Sequence, residues 1–523
     1  MEAAPALSAR SDPAPSGRRA LVFVGFMGAG KTSAARAVGA ALGVRAVDSD
    51  HELEASLGTS IEAYFAGRGE RAFREEEERV VCELLERPPS AVLSLGGGAV
   101  TSPRVRELLR AHTVVLCDVD ADTAWRRCGG RRPLARDRER FRALHAERTP
   151  LYEASADAVL LDTGRETVRR AAGALEGLAA APPGTKLLWA SAASGDYPVH
   201  VGEGLLASGF WPLAGRRFLV TDEHVGPRYA SALGPVEADV RIGPGEATKT
   251  LATVERVLRA LAAAGLDHDG HVAALGGGVV GDLAGFCAAV YQRGVGVVQV
   301  PTTLVAQVDS AYGGKTGVDL PEGKNYAGAY HQPAAVVADP GALATLPPEE
   351  LAAGWAEVVK TALIAGGSLW SRVRSGQAGA DRDTVLACAR TKLEVVAADE
   401  RDAGRRQTLN LGHTVGHAIE TATGYARYRH GEAVGLGLLA ALRLSGRPEL
   451  RDEVAELLEA RGLPTALDLA VERAAVLAAV QRDKKRRGGR VGFVLVQAPG
   501  ELHVGQPVAD GELAAAVAEL GGR

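Results

Sequence analysis

The chain has 523 residues, 46 % hydrophobic and 24 % charged, with a net charge of −4. That balance fits about three or four soluble domains of ordinary size, and the mild acidity gives no reason to invoke nucleic acid or an anionic membrane. Apolar runs are short and broken by Gly, Pro or charge, which excludes a transmembrane helix.

Five scattered cysteines without a CxxC pair point to a reducing cytoplasm, away from a disulfide framework or a thiolate zinc site. Residues 1–18 are rich in Ala, Pro and Ser and lack the apolar core of a signal peptide, so a disordered tail is expected there. Residues 20–24 (Ala-Leu-Val-Phe-Val) then form a continuous apolar run suited to a buried parallel strand. Gly25-Phe26-Met27-Gly28-Ala29-Gly30-Lys31-Thr32 follows at once and leads through Ser33 into a helical pattern. This is GxxxxGK[ST] in the strand-then-helix context that gives it meaning. Backbone N–H groups of Gly28, Ala29 and Gly30 can close around nucleotide phosphates, Lys31 can reach the outer phosphates, and the Thr32 hydroxyl suits Mg²⁺.

More segments follow in order: Asp48-Ser49-Asp50, Gly69-Glu70-Arg71-Ala72-Phe73-Arg74, Leu93-Ser94-Leu95-Gly96-Gly97-Gly98-Ala99-Val100, Arg131-Arg132-Pro133-Leu134 and Glu147-Arg148-Thr149-Pro150-Leu151-Tyr152. With the P-loop, they make residues 19–175 resemble shikimate kinase. The resemblance implies that Asp50, Arg74, Gly97 and Arg148 bind shikimate. Chemically, paired arginines suit its carboxylate, an aspartate its hydroxyls, and a glycine close backbone approach. It also implies that Gly28 to Ser33 and Arg127 hold ATP, with Arg127 near the adenine, and that Asp48 reaches Mg²⁺ through water. Lys31, Asp50 and a lid arginine would act in catalysis. The lid, Gly129 to Arg136, is short and Arg-rich, which leaves Arg132 and Arg131 both open, with Arg132 preferred. Glu75-Glu76-Glu77-Glu78 reads as a solvated helix face.

A helical pattern over 163–180 is broken by Ala181-Pro182-Pro183-Gly184. The expected boundaries are a front domain over 19–178, a linker over 179–187, an α/β half over 188–345 and an all-helical half over 346–523. The fold class expected is therefore α/β: a P-loop kinase domain with a parallel sheet, followed by a two-part unit.

In the rear part, Arg217 to Asp222 reads as a strand ending in an acid suited to a ribose or adenine edge. Gly243 to Lys249 is a polar turn carrying Glu246 and Lys249. Ala273 to Gly276 runs into Gly277, Gly278 and Val279 and then a helix with Asp282, which lets pyrophosphate sit on bare backbone. Thr302 and Thr303 follow another apolar run, then Asp309, Lys315, Lys324 and Asn325. From Leu346 the pattern turns helical, with Glu357 and Lys360 sharing a face. Arg406-Gln407-Thr408-Leu409-Asn410-Leu411-Gly412-His413-Thr414-Val415-Gly416-His417-Ala418-Ile419-Glu420 and His430-Gly431-Glu432 carry three histidines in eighteen residues. Chance puts about 0.4 there. Spacing alone pairs His413 with His417, four apart on one helix face.

These runs make residues 188–523 closely resemble 3-dehydroquinate synthase. That resemblance implies a divalent metal, Zn²⁺ or Co²⁺, on Glu357, His413 and His430, with His417 turned to substrate instead. It implies NAD against Asp222, Glu246, Lys249, Gly277, Gly278, Val279, Asp282, Thr302, Thr303, Lys315 and Lys324. The substrate, 3-deoxy-D-arabino-heptulosonate 7-phosphate, would meet Arg293, Asp309, Lys315, Asn325, Lys360, Lys392, Arg406, Asn410, His417 and Lys484. Lys315, Lys360, Asn410 and His417 would act in catalysis. A substrate with a phosphate and a carboxylate requires such cations. Asp402 stands where the family commonly has Glu. The implied chemistry is hydride removal to NAD⁺, β-elimination of phosphate, hydride return and ring closure, beside ATP-dependent phosphorylation of shikimate in front. The partners implied are small molecules, and synthases of this kind often form homodimers through this half. A polyol dehydrogenase fits the cations poorly; a cyclase on another sugar phosphate, or a half that serves only as a scaffold, are the remaining rivals.

Overall fold

Continuous apolar runs become buried strands in both parts of the chain. The structure is a computed structural model, which describes residues 19–128, 137–482 and 491–522. Arg131, Arg132, Lys484 and residues 1–18 lie outside the described residues. The described chain forms two compact units. One holds the residues up to Ala181 together with Lys186–Trp189, the other Pro182–Thr185 and everything from Ala190.

In the front unit, β1 (Leu21–Val24), β2 (Ala46–Asp48), β3 (Val92–Ser94), β4 (Thr113–Cys117) and β5 (Ala158–Leu160) form a parallel sheet in the order β2-β3-β1-β4-β5. The start of β6 (Lys186–Ala192) pairs in parallel with β5, so strand structure begins inside the segment read as a linker. Phe23 and Val115 pack against Ala34 and Val38 of the helix Lys31–Ala41 and against Val168 and Leu175 of the helix Arg165–Gly177. Buried strands of a parallel sheet need apolar side chains on both faces, which is why β1 reads as an unbroken run.

In the rear unit, β7 (Gly195–Val201), β8 (Arg216–Asp222), β9 (Ala238–Ile242), β10 (Gly270–Gly276) and β11 (Gly296–Pro301) precede a hairpin of β12 (Lys315–Leu320) and β13 (Gly323–Tyr330). With β14 (Ala335–Ala338) the long strands make a parallel sheet in the order β7-β14-β11-β10-β8-β9. Helices Leu251–Ala263 and Gly278–Val290 cover one face through Val254, Val257, Leu283 and Cys287. From Pro348 the described chain is mostly helical, and it departs from the all-helical expectation at one hairpin. Antiparallel strands β15 (Gly492–Ala498) and β16 (Glu501–Pro507) form a hairpin around Pro499-Gly500, where Gly500 takes φ +91°. A Pro-Gly pair between two apolar runs is the turn signal that marks it.

Candidate functional sites

In the front unit the loop between β1 and the helix Lys31–Ala41 takes left-handed backbone at Gly28 (φ +82°) and Gly30 (φ +88°), which L side chains rarely adopt. The helix therefore begins at Lys31 with its first N–H groups turned to the loop. Lys31 is buried and its Nζ donates to Phe26 O at 3.1 Å, folded over the loop. Thr32 Oγ1 donates to Asp48 Oδ2 at 2.6 Å, so the hydroxyl and the carboxylate expected around Mg²⁺ stand together. Arg127 is exposed, with Nη1 3.5 Å from Gly28 O and 3.3 Å from Thr163 Oγ1.

The polar wall opposite is built on Gly96, Gly97 and Gly98. A Cβ at Gly96 would lie 2.7 Å from both Asp50 Oδ1 and Glu77 Oε1, and one at Gly98 only 1.8 Å from Arg74 Nη1. Gly97 O accepts from Tyr152 Oη and, at 3.4 Å, from Arg148 Nη1. Asp50, Arg74, Gly97 and Arg148 are thus brought to one place. So is a residue not expected there: Glu77 is buried and ion-paired with Arg74. The reading of Glu75 to Glu78 as wholly solvated is corrected at Glu77. It lies four residues after buried Phe73 and three before buried Val80, so it shares their helix face. Burial pushes its carboxyl up, against the pull of Arg74.

In the rear unit, three helices converge because glycines let them touch. A Cβ at Gly431 would lie 1.9 Å from Ala353 O, and one at Gly437 1.9 Å from Gly412 O. The helix His430–Leu444 is thereby pressed against Pro348–Ala365 and His413–Ala422. Glu357 is buried; its Oε1 lies 3.6 Å from His413 Nε2 and 3.4 Å from His430 Nε2. One ligand atom from each of the three falls within 4.8 Å of the others. Neither Glu357 oxygen accepts a hydrogen bond of normal geometry. Burial raises Glu357, yet Lys360, His430 and His413 hold it well below the usual carboxylate range. Burial and Lys360 keep His413 neutral, with a lone pair to give. A buried carboxylate short of partners, facing two partly buried imidazoles, fits a divalent ion of the zinc or cobalt type. His417 falls instead with Glu420 and His430 in a second such group, its ring centre 5.2 Å from that of His413.

Around this triad Lys360 Nζ is ion-paired with Glu357 and lies 3.6 Å from Asp309 Oδ1. Lys392 Nζ lies 3.0 Å from that oxygen and donates to Asp309 O at 2.6 Å. Burial lowers Lys392 to about 8 despite Asp309. Lys315 pairs with Asp402 at 2.8 Å. Asn410 ends the turn Arg405–Asn410 just ahead of His413. Arg406 is fully buried, donating to Gly313 O at 2.8 Å and to Glu400 O. Asn325 is exposed at φ +55°, and Arg293 is exposed at φ +71° on the turn Tyr291–Arg293. The Arg293 side chain makes no hydrogen bond or ion pair among the described residues.

Lys249 Nζ pairs with Asp282 at 2.7 Å and lies 3.6 Å from Glu246, whose carboxylate is also 3.6 Å from Lys324. Gly277 and Gly278 open the helix Gly278–Val290 where a Cβ would meet Thr303 Cγ2 at 2.9 Å or Ser310 Oγ at 3.0 Å. Val279 sits in that first turn, and the buried Thr302 hydroxyl has no hydrogen-bond partner among the described residues. Asp222, at the end of β8, accepts from the N–H groups of His224 and Val225 at 2.8 Å each.

Residues 239–353 match the family model of the 3-dehydroquinate synthase N-terminal region and 354–486 that of its C-terminal region, while 27–177 match shikimate kinase. A 3-dehydroquinate synthase of Halorhodospira halophila is 48 % identical over 335 residues, 60 % of this chain and 94 % of that protein. One of Symbiobacterium thermophilum is 44 % identical over 336 residues, covering 59 % and 93 %. A solved 2-deoxy-scyllo-inosose synthase, complexed with carbaglucose-6-phosphate, NAD⁺ and Co²⁺, superposes with a TM-score of 0.58 at 26 % identity, over 64 % of this chain and all of that one. The 2-epi-5-epi-valiolone synthase of Streptomyces hygroscopicus, with NAD⁺ and Zn²⁺ bound, does so with a TM-score of 0.57 at 29 % identity, over 62 % and 96 %.

Proposed function

The chain belongs to the 3-dehydroquinate synthase family and carries a shikimate kinase domain ahead of it, which makes it a bifunctional shikimate-pathway enzyme, and on that premise we propose how its residues divide the work. The observation that carries the rear assignment is the convergence of Glu357, His413 and His430 beside Lys360, with Lys392 sharing Asp309 with that lysine.

In the front unit, Gly28 to Ser33 cradle the ATP phosphates, and Lys31 and Thr32 serve the outer phosphates and Mg²⁺, with Asp48 beside Thr32. Arg74 and Arg148 take the shikimate carboxylate. Asp50 holds its hydroxyls and orients the one that attacks the γ-phosphoryl. This is positioning and charge stabilisation rather than covalent chemistry by the protein. Arg127 lies toward the adenine, and the lid arginine, Arg132 or Arg131, belongs to the same site.

In the rear unit, Glu357, His413 and His430 hold a Zn²⁺ or Co²⁺ ion. Asp222, Glu246, Lys249, Gly277 to Val279, Asp282, Thr302, Thr303 and Lys324 line the NAD site. When bound, the ion supplies Lewis acidity to substrate hydroxyls and the nicotinamide a reversible hydride acceptor. The chain's own residues bind and orient 3-deoxy-D-arabino-heptulosonate 7-phosphate. Lys315, Lys392, Arg293, Asn325, Arg406 and Lys484 answer its phosphate and carboxylate, and Asp309 a hydroxyl. Lys360 stands between Asp309 and Glu357, holding both carboxylates ionised. His417, exposed at the edge of the triad, exchanges a proton at a ring nitrogen, and Asn410 shares in that proton handling.

A cyclase acting on another sugar phosphate would keep the triad and the nucleotide site. Identity of 44–48 % to 3-dehydroquinate synthases favours the heptulosonate. Buried free cysteines fit the cytoplasm; no described helix is long and apolar enough to cross a membrane. Pairing of two copies through the synthase unit is part of the same reading.

Crossed variants test it. Lys31→Met is expected to lose ATP-dependent phosphorylation of shikimate and keep phosphate release from the heptulosonate, and Glu357→Gln to do the reverse. If either variant loses both activities, the two-site reading fails.

A further inference from the structure

Glu420 has no role in the reading above, yet it is the most completely buried acid behind the metal triad. It follows His413 by seven residues and His417 by three, so all three lie on one face of the helix His413–Ala422. It is 2 % exposed, and Oε2 has no hydrogen bond of normal geometry. Its two oxygens address different partners. Oε1 accepts from Lys324 Nζ at 3.0 Å, and Oε2 faces His430 Nδ1 at 3.5 Å. The other nitrogen of His430, Nε2, is the one turned to Glu357. One imidazole therefore spans two buried carboxylates, with its ligand nitrogen forward and Nδ1 behind.

An imidazole that gives its Nε2 lone pair to an ion must donate Nδ1–H elsewhere, and that outer bond fixes its tautomer and ring plane. Glu420 Oε2 is a buried acceptor in want of such a donor. The same carboxylate steadies Lys324, which lies 3.6 Å from Glu246 and 4.7 Å from the Tyr425 ring centre.

We propose that Glu420 is a positioning residue that orients the metal ligand His430 with one oxygen and the nucleotide-site cation Lys324 with the other, so that one buried carboxylate sets both. This rests on Glu357, His413 and His430 being the metal's ligands. An ion held by His417, Glu420 and His430 is the competing use of the same atoms. It is disfavoured because His417 is exposed, and because ions in both groups at once would require His430 to coordinate through both nitrogens.

The full chain, stripped with chelator and titrated with Co²⁺, decides it by visible absorption and equilibrium dialysis. Wild type is expected to bind one ion and Glu357→Gln none. If wild type binds no ion, or Glu357→Gln binds like wild type, the ligand assignment falls, and the fault lies there rather than with Glu420. Given that baseline, Glu420→Gln should bind Co²⁺ about 10- to 100-fold more weakly, with an altered visible spectrum. Its NAD⁺ affinity in the chelated state should fall at least about threefold, and shikimate phosphorylation by the same molecules should be unchanged. Glu420→Asp, which keeps the charge but pulls it back, should fall between, and serves where the glutamine variant folds poorly. A purely structural glutamate would lower thermal stability and leave the Co²⁺ spectrum alone. Co²⁺ affinity within twofold of wild type, unchanged NAD⁺ affinity, or a second Co²⁺ equivalent lost with Glu420 would each overturn the proposal.

Discussion

Lys360 and Glu357, one turn apart on a single helix and each 1 % exposed, are ion-paired in the interior of the rear unit. Burial works against the Lys360 charge, but Asp309 and Glu357 together hold it above its ordinary range. Two charges taken out of water are tolerable as a pair, and deleting one leaves the other uncompensated at a cost of about 3–5 kcal/mol. Lys360→Met, unfolded in urea with chelator present, is expected to lose about 3 kcal/mol of rear-unit stability by this principle. Zinc should restore part of it, because the ion takes over the charge of Glu357. A variant as stable as wild type in chelator would show that Glu357 escapes by taking up a proton.

The front site turns on Gly98. A methyl group there would overlap Arg74 Nη1 at 1.8 Å, and only the guanidinium is free to give way. It would swing off the carboxylate position and break its pairing with Glu77. Losing one charge-assisted contact costs about 1.5–3 kcal/mol, or about 10- to 100-fold. Gly98→Ala should therefore raise KM for shikimate by that factor. KM for ATP and the thermal midpoint should stay near wild type. An equal rise in both KM values would place the damage in the P-loop instead.

Acid should weaken the rear unit through two buried histidines. Burial lowers His200 to about 4 against a hydrogen bond that its ring donates to the Val336 backbone, and burial with Arg217 lowers His271 to about 4. Trp211 Nε1 donates to His271 Nε2 at 3.0 Å, a bond that requires the unprotonated ring. Both folded values lie below the unfolded 6.5, so the unfolded chain takes up protons first as pH falls. Stability is full above about 6.5 and declines toward 4. Between pH 6.5 and 5, each group costs about 2 kcal/mol at about 1.36 kcal/mol per pH unit. Comparing urea midpoints at pH 7.5 and 5, His200→Leu should show a drop smaller than that of wild type by about that amount. An equal drop would mean that His200 does not titrate in this range.

What the sequence disclosed follows from range. The P-loop was legible because strand, glycines and helix are consecutive, and Thr32 meets Asp48 one strand later. Glu357, His413 and His430 come from three helices, and spacing alone pointed to His413 with His417; it took the family resemblance to bring in Glu357. What assembles them is the close helix contact at Gly431 and Gly437, and a glycine does not announce which helix it will touch. Glu77 was hidden in a run of four acids, although its offsets from Phe73 and Val80 carried the signal. Glu420 was hidden by its partners: Lys324 lies 96 residues away. The hairpin at Pro499-Gly500 is masked in the sequence by the helical patterns on either side of it.

Lys392 gives the rear site a titration that substrate should feel. Burial brings it down to about 8 from 10.5, with Asp309 opposing and Lys360 and Arg406 assisting. Below about 8 it is a cation, which in the proposed assignment would face a phosphorylated, carboxylated substrate; above it the ammonium loses its proton and that attraction. A kcat/KM profile reports groups of the free enzyme, so synthase turnover should fall with one proton's slope above about pH 8. Shikimate phosphorylation on the same chain should not follow that limb. Lys392→Arg keeps its charge throughout, because a guanidinium does not titrate here. It should lower kcat/KM at pH 7 by distorting the contact with Asp309, yet flatten the alkaline limb. If the limb stays near pH 8 in the arginine variant, the titrating group is another residue, and the place of Lys392 in substrate binding has to be withdrawn.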